Sequence, residues 1–251
     1  MEASTSIDKA LDLLFHLHGA GGPLGVSQAS RDLGLPKASV HRLLRTLTRR
    51  GLVERDDGGR YRPGAGLIAL GLGVLERDPV VAVAHPVVES EARELGETTF
   101  LTGMRGGEMV VLDKAEGSGF LRAAPRVGAA VPLHATAVGK LAIAYEAAPP
   151  APEGSPAYTA WTNPGGAALR EATAAARRRG YAVNRDEWIE GLSVVAAPVL
   201  SPDGRFLAAL AIAAPTPRME SLGVDVVAAR AMAAAARIRR RLAGTAEGDL
   251  R

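Results

Sequence analysis

The chain has 251 residues, 47% of them hydrophobic and 23% charged, with a formal net charge of +3, the balance of an ordinary globular protein rather than a disordered or fibrous one. It contains no cysteine, which excludes disulfides, thiolate metal sites and cysteine nucleophiles. No uninterrupted apolar run approaches the ~20 residues that cross a bilayer, and the N-terminus lacks the basic flank and apolar block of a secretion signal, so a cytoplasmic protein with no membrane partner is expected. The length accommodates a first domain of about 65 residues and a second of about 170, each large enough for its own core.

The first periodic segment, Ile7 to His18, reads as a helix capped by Ser6, with Ile7, Ala10, Leu11, Leu14 and Leu17 turned inward. Ser27 to Arg50 then reads as two short helices broken by a tight turn. Ser27 is placed to cap the first, Gly34 to end it, and Pro36 to occupy the first turn of the second. In the second helix Val40, Leu43, Leu44 and Leu47 make one apolar stripe. Lys37, Ser39, Arg42, Arg45, Thr46 and Arg49 fall on the wet face, with His41 near its boundary. This is the layout of a helix-turn-helix whose second helix reads DNA.

Amphipathic helices with solvated arginines are common, so the helix alone is ambiguous. The residues after it argue for DNA. Leu52–Arg55 and Arg60–Arg62 read as strands around Asp56-Asp57-Gly58-Gly59, a hairpin signal, and the combination predicts a winged helix-turn-helix over residues 1–65. Between Arg31 and Arg62 nine bases oppose four acids, so positive charge is concentrated on the motif, as an electrostatic footprint for DNA requires. The candidate DNA contacts are Ser27, Gln28, Lys37, Ser39, His41, Arg42, Arg45 and Arg60.

Residues 66–78 are apolar and lie between the domains. A linker helix packing against its copy in a second subunit is expected there, with packing inside its own chain as the alternative. From Pro79 onward the pattern is that of an α+β domain, residues 79–251, not a repeated βαβ unit. His85–Leu95 reads as helix, and Thr98–Met104 and Met109–Lys114 as a hairpin around Gly106-Gly107. Phe120–Ala124 reads as a further strand, and Val131 to Lys140 as a small-residue entry into a helix reaching Tyr145. Such an entry leaves backbone N–H groups facing outward, a natural cradle for a carboxylate. Pro149–Pro156 reads as a surface loop. Asn163 is placed to cap a helix that Gly180 ends, with strands at Tyr181–Asn184, Ser193–Leu200 and Phe206–Ala213 and a last helix at Gly223–Leu242. The arginines that close this last helix read as structural, since its C-terminus favours cations.

Catalysis finds little support. The five histidines, His16, His18, His41, His85 and His134, show no metal-ligand spacing. Asp186 and Glu187, beside Trp188, read as a solvated loop rather than an acid/base couple, and no nucleophile elbow or phosphate-binding glycine loop is present. No catalytic residue, metal or cofactor is expected.

Three separated segments resemble the IclR family of bacterial transcription regulators. They are Gly34 to Leu44 in the recognition helix, Leu133-His134-Ala135-Thr136-Ala137-Val138-Gly139-Lys140, and Gly180-Tyr181-Ala182-Val183 continuing to Val195-Ala196-Ala197-Pro198-Val199. The resemblance implies an N-terminal winged helix-turn-helix, a linker helix and a GAF-like antiparallel-sheet effector domain, assembled as a homodimer or dimer of dimers on an inverted-repeat operator. It implies a small organic acid or aromatic compound as effector. Members that bind short oxo-acids use the helix-entry backbone, here Ala137 and Val138 before Gly139, together with an acid, a cysteine and two serines. Those four positions here hold Asn184, Val194, Ala211 and Ala213. Aliphatic replacements would strand a small oxo-acid's oxygens at about 1–3 kcal/mol each, so the expected effector is more apolar than glyoxylate or pyruvate. The expected function is a DNA-binding regulator, a repressor in the commoner case, tuned by that effector. The alternative is a C-terminal domain that only oligomerises or acts as an activator platform without a ligand.

Overall fold

The computed structural model describes residues 5–75, 77–119 and 125–248, and the chain divides into two compact units, Met1–Arg77 and Asp78–Arg251. In the first unit α1 (Ser6–Gly19), α2 (Val26–Asp32) and α3 (Lys37–Arg49) are followed by β1 (Val53–Arg55), β2 (Tyr61–Pro63) and α4 (Ala65–Leu75). Leu13, Leu17, Ala29, Val40, Leu44, Leu47, Val53 and Tyr61 form its core. Leu24 and Tyr61 exchange both backbone hydrogen bonds at 2.8 Å, so the segment before α2 is stitched to the hairpin.

Four local expectations are corrected. Thr5, not Ser6, caps α1, in a reciprocal capping box with Asp8. The inward face of α1 is Leu13 and Leu17, while Ile7, Leu11 and Phe15 are exposed. This helix carries apolar residues on two adjoining faces, and periodicity alone does not say which one meets the core. Ser27 lies inside α2, whose N-cap is Gly25 with no side-chain cap. Pro36 is likewise one residue earlier than expected, the N-cap of α3, its carbonyl accepting from Ser39 and Val40. Gly34 does end α2: it sits at φ +64°, and Leu35 N–H reaches back to Ser30 O in a Schellman closure.

In the second unit α5 (Pro79–Leu95) leads into β3 (Thr98–Arg105), β4 (Glu108–Ala115), β5 (Ala130–Val131), α6 (Ala137–Ala144), α7 (Gly166–Arg179), β6 (Ala182–Arg185), β7 (Leu192–Leu200), β8 (Phe206–Pro215), α8 (Thr216–Leu222) and α9 (Val224–Gly248). The strands make one antiparallel sheet in the order β5-β4-β3-β8-β7-β6. Alternation along β8 sends Ala209, Ala211 and Ala213 to the face that meets Val138 and Leu141 of α6. α5 and α9 pack on each other and on the sheet. Gly106 and Gly107, at φ +59° and +87°, close the β3–β4 turn with two residues, as a primed hairpin requires.

Helix α5 starts six residues before the expected His85. Asp78 caps it by accepting from Val80 and Val81 N–H, and Pro86 is carried inside it. The proline reads in sequence as a start signal, but the cap and the buried Val81 and Ala84 hold the extra turns. Gly165, not Asn163, caps α7, and Asn163 instead braces the turn by accepting from Gly165 N–H. The short β5 and α8 were not foreseen. The strand expected at Phe120–Ala124 lies outside the described residues.

Glu91 of α5 is 5% exposed and accepts from two arginines of α9, Arg230 at 3.0 Å and Arg237 at 2.6 Å. Of the arginines expected to close the last helix only Arg237 takes part in this clamp, with Arg230 nearer the helix start, and α9 runs on past them to Gly248 with no base in its last turn. Glu91→Gln leaves two guanidinium groups facing a neutral amide. Because both arginines are about a third exposed, water offsets part of the loss, and the expected destabilisation is on the order of 2 kcal/mol. A thermal melt lowered by several degrees is the corresponding readout.

Candidate DNA-reading helix and effector cavity

Helix α3 buries Val40, Leu44 and Leu47 and leaves Lys37, His41, Arg42, Arg45, Thr46 and Arg49 exposed. Arg42, Arg45 and Arg49 are spaced i, i+3 and i+7, so they form one row of guanidinium groups on the wet side. Ser39 is half-buried on the flank of that row. The other candidates stand differently. Ser27, on α2, is exposed. Gln28 is engaged on both ends of its amide, donating to Asp32 at 2.6 Å and accepting from Arg31 at 2.5 Å, while Asp32 also meets His16 at 3.0 Å. Arg60 lies in the wing, its Nε 3.8 Å from Asp56.

In the second unit a cavity of about 570 Å³ opens between the sheet, the first turn of α6 and the β6–β7 loop. Ala137, Val138, Asn184, Val194 and Ala213 line it, as do Phe100, Val131, Trp188 and Leu192. Gly139 and Ala211 do not. Gly139 is needed for contact: a Cβ there would lie 2.2 Å from the Leu133 carbonyl oxygen. Ala211, fully buried, belongs to the packed layer beside the cavity.

The polar content of the cavity is sparse: besides Thr136 and Asn184, its lining includes the charged side chains Arg126 and Glu190, both exposed. Thr136 caps α6, accepting from Gly139 N–H at 3.1 Å and donating to Pro132 O at 2.6 Å. The N–H groups of Ala137 and Val138 belong to the first turn, which has no helical acceptor, and both residues border the cavity. Asn184 is 3% exposed, yet its amide is committed to backbone: it donates to Ala135 O at 2.7 Å and accepts from Glu187 N–H at 3.0 Å. Asn184 thus braces the segment before α6 against the β6–β7 loop.

Asp186 and Glu187 are not a solvated loop. Asp186, at φ +59°, accepts from Gly191 N–H at 2.9 Å and Thr216 Oγ1 at 2.6 Å. Glu187 meets Lys140 Nζ at 2.5 Å, and Lys140 also donates to Val183 O at 3.1 Å. Thr159 and Thr162 donate to the carbonyls of Asp186 and Glu187 at 2.7 and 2.6 Å. The backbone is thus held from four sides, and it presents Trp188 to the cavity as a fixed wall. Sequence reasoning missed Trp188 and Phe100. A lone tryptophan beside two acids carries no periodic signal, and the inward phase of β3 is unreadable from a strand buried on both faces. Among the described residues no cluster of histidines and acids could hold a metal ion. His134 is engaged structurally, with Nε2 2.9 Å from Pro156 O and its ring tilted 32° against that of Tyr158 at 5.7 Å.

Asn184→Asp tests the brace. The new carboxylate would face the Ala135 carbonyl with no donor between them, costing about 1–3 kcal/mol, so the thermal midpoint should fall at neutral pH and recover as the acid is protonated. A midpoint unchanged between pH 5 and 8 would contradict the geometry.

Residues 6–57 match the family model described as the IclR helix-turn-helix domain, and residues 72–240 match the bacterial transcriptional regulator IclR C-terminal model. The chain is 34% identical over 219 residues to the probable transcriptional regulator SauR of Cupriavidus necator, covering 84% of this chain and 86% of that protein. Among solved structures it resembles the Thermotoga maritima IclR, with a TM-score of 0.80 and 26% identity, covering 94% of this chain and 98% of that one. It shares its fold with an IclR homologue of Microbacterium hydrocarbonoxydans complexed with 4-hydroxybenzoate, with a TM-score of 0.80 and 23% identity, covering 96% of this chain and all of that one. With an N-terminal helix-turn-helix that presents a basic helix, followed in sequence by an antiparallel-sheet C-terminal domain, the chain belongs to the IclR family of transcription regulators.

Proposed function

We propose that this regulator represses its target promoter as a homodimer, or as a dimer of dimers, on an inverted repeat, and that a small organic acid bound in the C-terminal cavity changes its operator affinity. The observation that carries this reading is the cavity itself: mostly apolar walls, with two first-turn amides of α6 as a polar handle and Arg126 in the lining as a cation within the same space. A carboxylate accepting from Ala137 and Val138 N–H would be favoured by the helix end as well. Val194 and Ala213 would take the apolar body, with Phe100 and Trp188 beside it. Since Asn184 is already committed, a short oxo-acid would leave its second set of oxygens without partners.

One recognition helix covers only a few base pairs, so two copies are needed for a specific site. Helix α4 supports the dimer. Ile68, Leu70, Leu72 and Val74 are each more than half exposed, an apolar surface of the kind that a second subunit covers. Lys37, Ser39, His41, Arg42 and Arg45 are the proposed base and phosphate contacts. The effector acts by binding the DNA-competent and incompetent arrangements with different affinity.

Arg42→Ala should weaken operator binding by about tenfold or more, on the order of 1–3 kcal/mol, without lowering the melting temperature, because the side chain is exposed. Electrophoretic mobility shifts on the chain's own promoter measure this, and normal binding would refute the assigned face. Calorimetric titration separates the ligand classes. Binding of 4-hydroxybenzoate or another apolar carboxylate, with none of pyruvate or glyoxylate, is the expected result; tight binding of the oxo-acids overturns it.

A further inference from the structure

The nine bases between Arg31 and Arg62 are not equally available to DNA. Lys37, Arg42, Arg45, Arg49 and Arg50, on α3 and its C-cap, are exposed, and among the described residues none has an ion-pair partner. The wing is different. Arg62 sits directly across the hairpin from Glu54 in the strand register, with Nε 2.6 Å from Oε1. Arg60 lies 3.8 Å from Asp56, and Asp56 is no free side chain: its Oδ1 accepts from Arg60 N–H at 2.8 Å and fixes the turn. Arg55 lies 5.7 Å from the Tyr61 ring centroid. With Asp57 at the tip, residues 54–62 hold three arginines and three acids, a net charge of zero.

We infer that the wing is masked toward DNA by its own carboxylates, and that the phosphate contacts of this domain come from α3 and its C-cap. Surface ion pairs are weak, so Arg60 and Arg62 could leave their partners. The carboxylates would remain, however, and would be brought against phosphate as the arginines reached it. What drives non-specific binding is counterion release, and a segment with no net charge releases almost none. A row of unpaired guanidinium groups on α3 has no such opposition.

The test is the salt dependence of binding to a random-sequence duplex, measured by fluorescence anisotropy of the full chain between 50 and 200 mM KCl, with about 0.9 lost from the log–log slope for each phosphate contact removed. Arg45→Ala with Arg49→Ala should flatten the slope by about 2 units. The neutral removal of both wing pairs, Glu54→Gln, Arg62→Gln, Asp56→Asn and Arg60→Gln together, should leave slope and affinity unchanged. Glu54→Gln with Asp56→Asn alone, which unmasks two arginines while Asn keeps the turn acceptor, should tighten binding and steepen the slope by about 1–2 units. A gain of binding is an outcome that misfolding cannot imitate. The inference is overturned if the neutral quadruple variant flattens the slope as the α3 double variant does, or if unmasking changes nothing.

Discussion

The first turn of α6 faces the cavity because residue 139 has no side chain. A methyl group there would meet the backbone of Leu133 at 2.2 Å, and relief would require the helix to lift from the segment that precedes it. With glycine, α6 descends onto that segment, Thr136 closes the amide of Gly139, and the amides of Ala137 and Val138 are left at the edge of an apolar space. Lys140 follows and points away, into a buried ion pair with Glu187. Five consecutive residues thus supply a cap, two donors, a close approach and an anchor.

That anchor ties the two walls of the cavity together. Lys140 belongs to α6 and Glu187 to the loop that carries Trp188, so a displacement of one wall strains the other. A buried ion pair contributes little net stability compared with an apolar pair of the same shape. Its worth here is directional: Glu187, Asn184 and Asp186 each hold backbone or a charged partner at a fixed distance. A ligand seated between Phe100 and Trp188 would meet surfaces set in advance, which spares the ordering cost of association.

Much of the fold was legible in the residues. The Gly34–Pro36 turn, the apolar stripe of α3, the two-glycine hairpin and the strands of the central sheet all have local causes: a required positive φ, a 3.6-residue period, a two-residue alternation. The losses share one character. The inward face of α1, the early start of α5 and the phase of β3 are decided by tertiary neighbours, because each segment offers apolar residues on more than one side. Asp186 and Glu187 looked solvated since their partners, Thr216, Thr159, Thr162 and Lys140, are remote in sequence. At the cavity, the positions around α6 and β7 could be placed from the family resemblance, whereas Gly139 and Ala211 turned out to support its walls without reaching it. The count of bases suggested a wing that grips DNA; the cross-strand register of Glu54 and Arg62 speaks for the opposite.

The middle of the sheet is built from the smallest side chains available. Ala196, Ala197, Ala208, Ala209, Ala211, Ala213 and Ala214 are all essentially inaccessible to solvent, and alanine has no rotamers to lose on burial. Such a layer has only single methyl groups to lose by truncation, and away from Ala213, which borders the cavity, it fails by crowding: each added methylene forces strand or helix apart at about 1–3 kcal/mol. Changes of cavity shape that spare the fold therefore fall to the larger groups of its lining, Phe100, Trp188 and Leu192, while the alanine plate beneath them stays as an inert anvil.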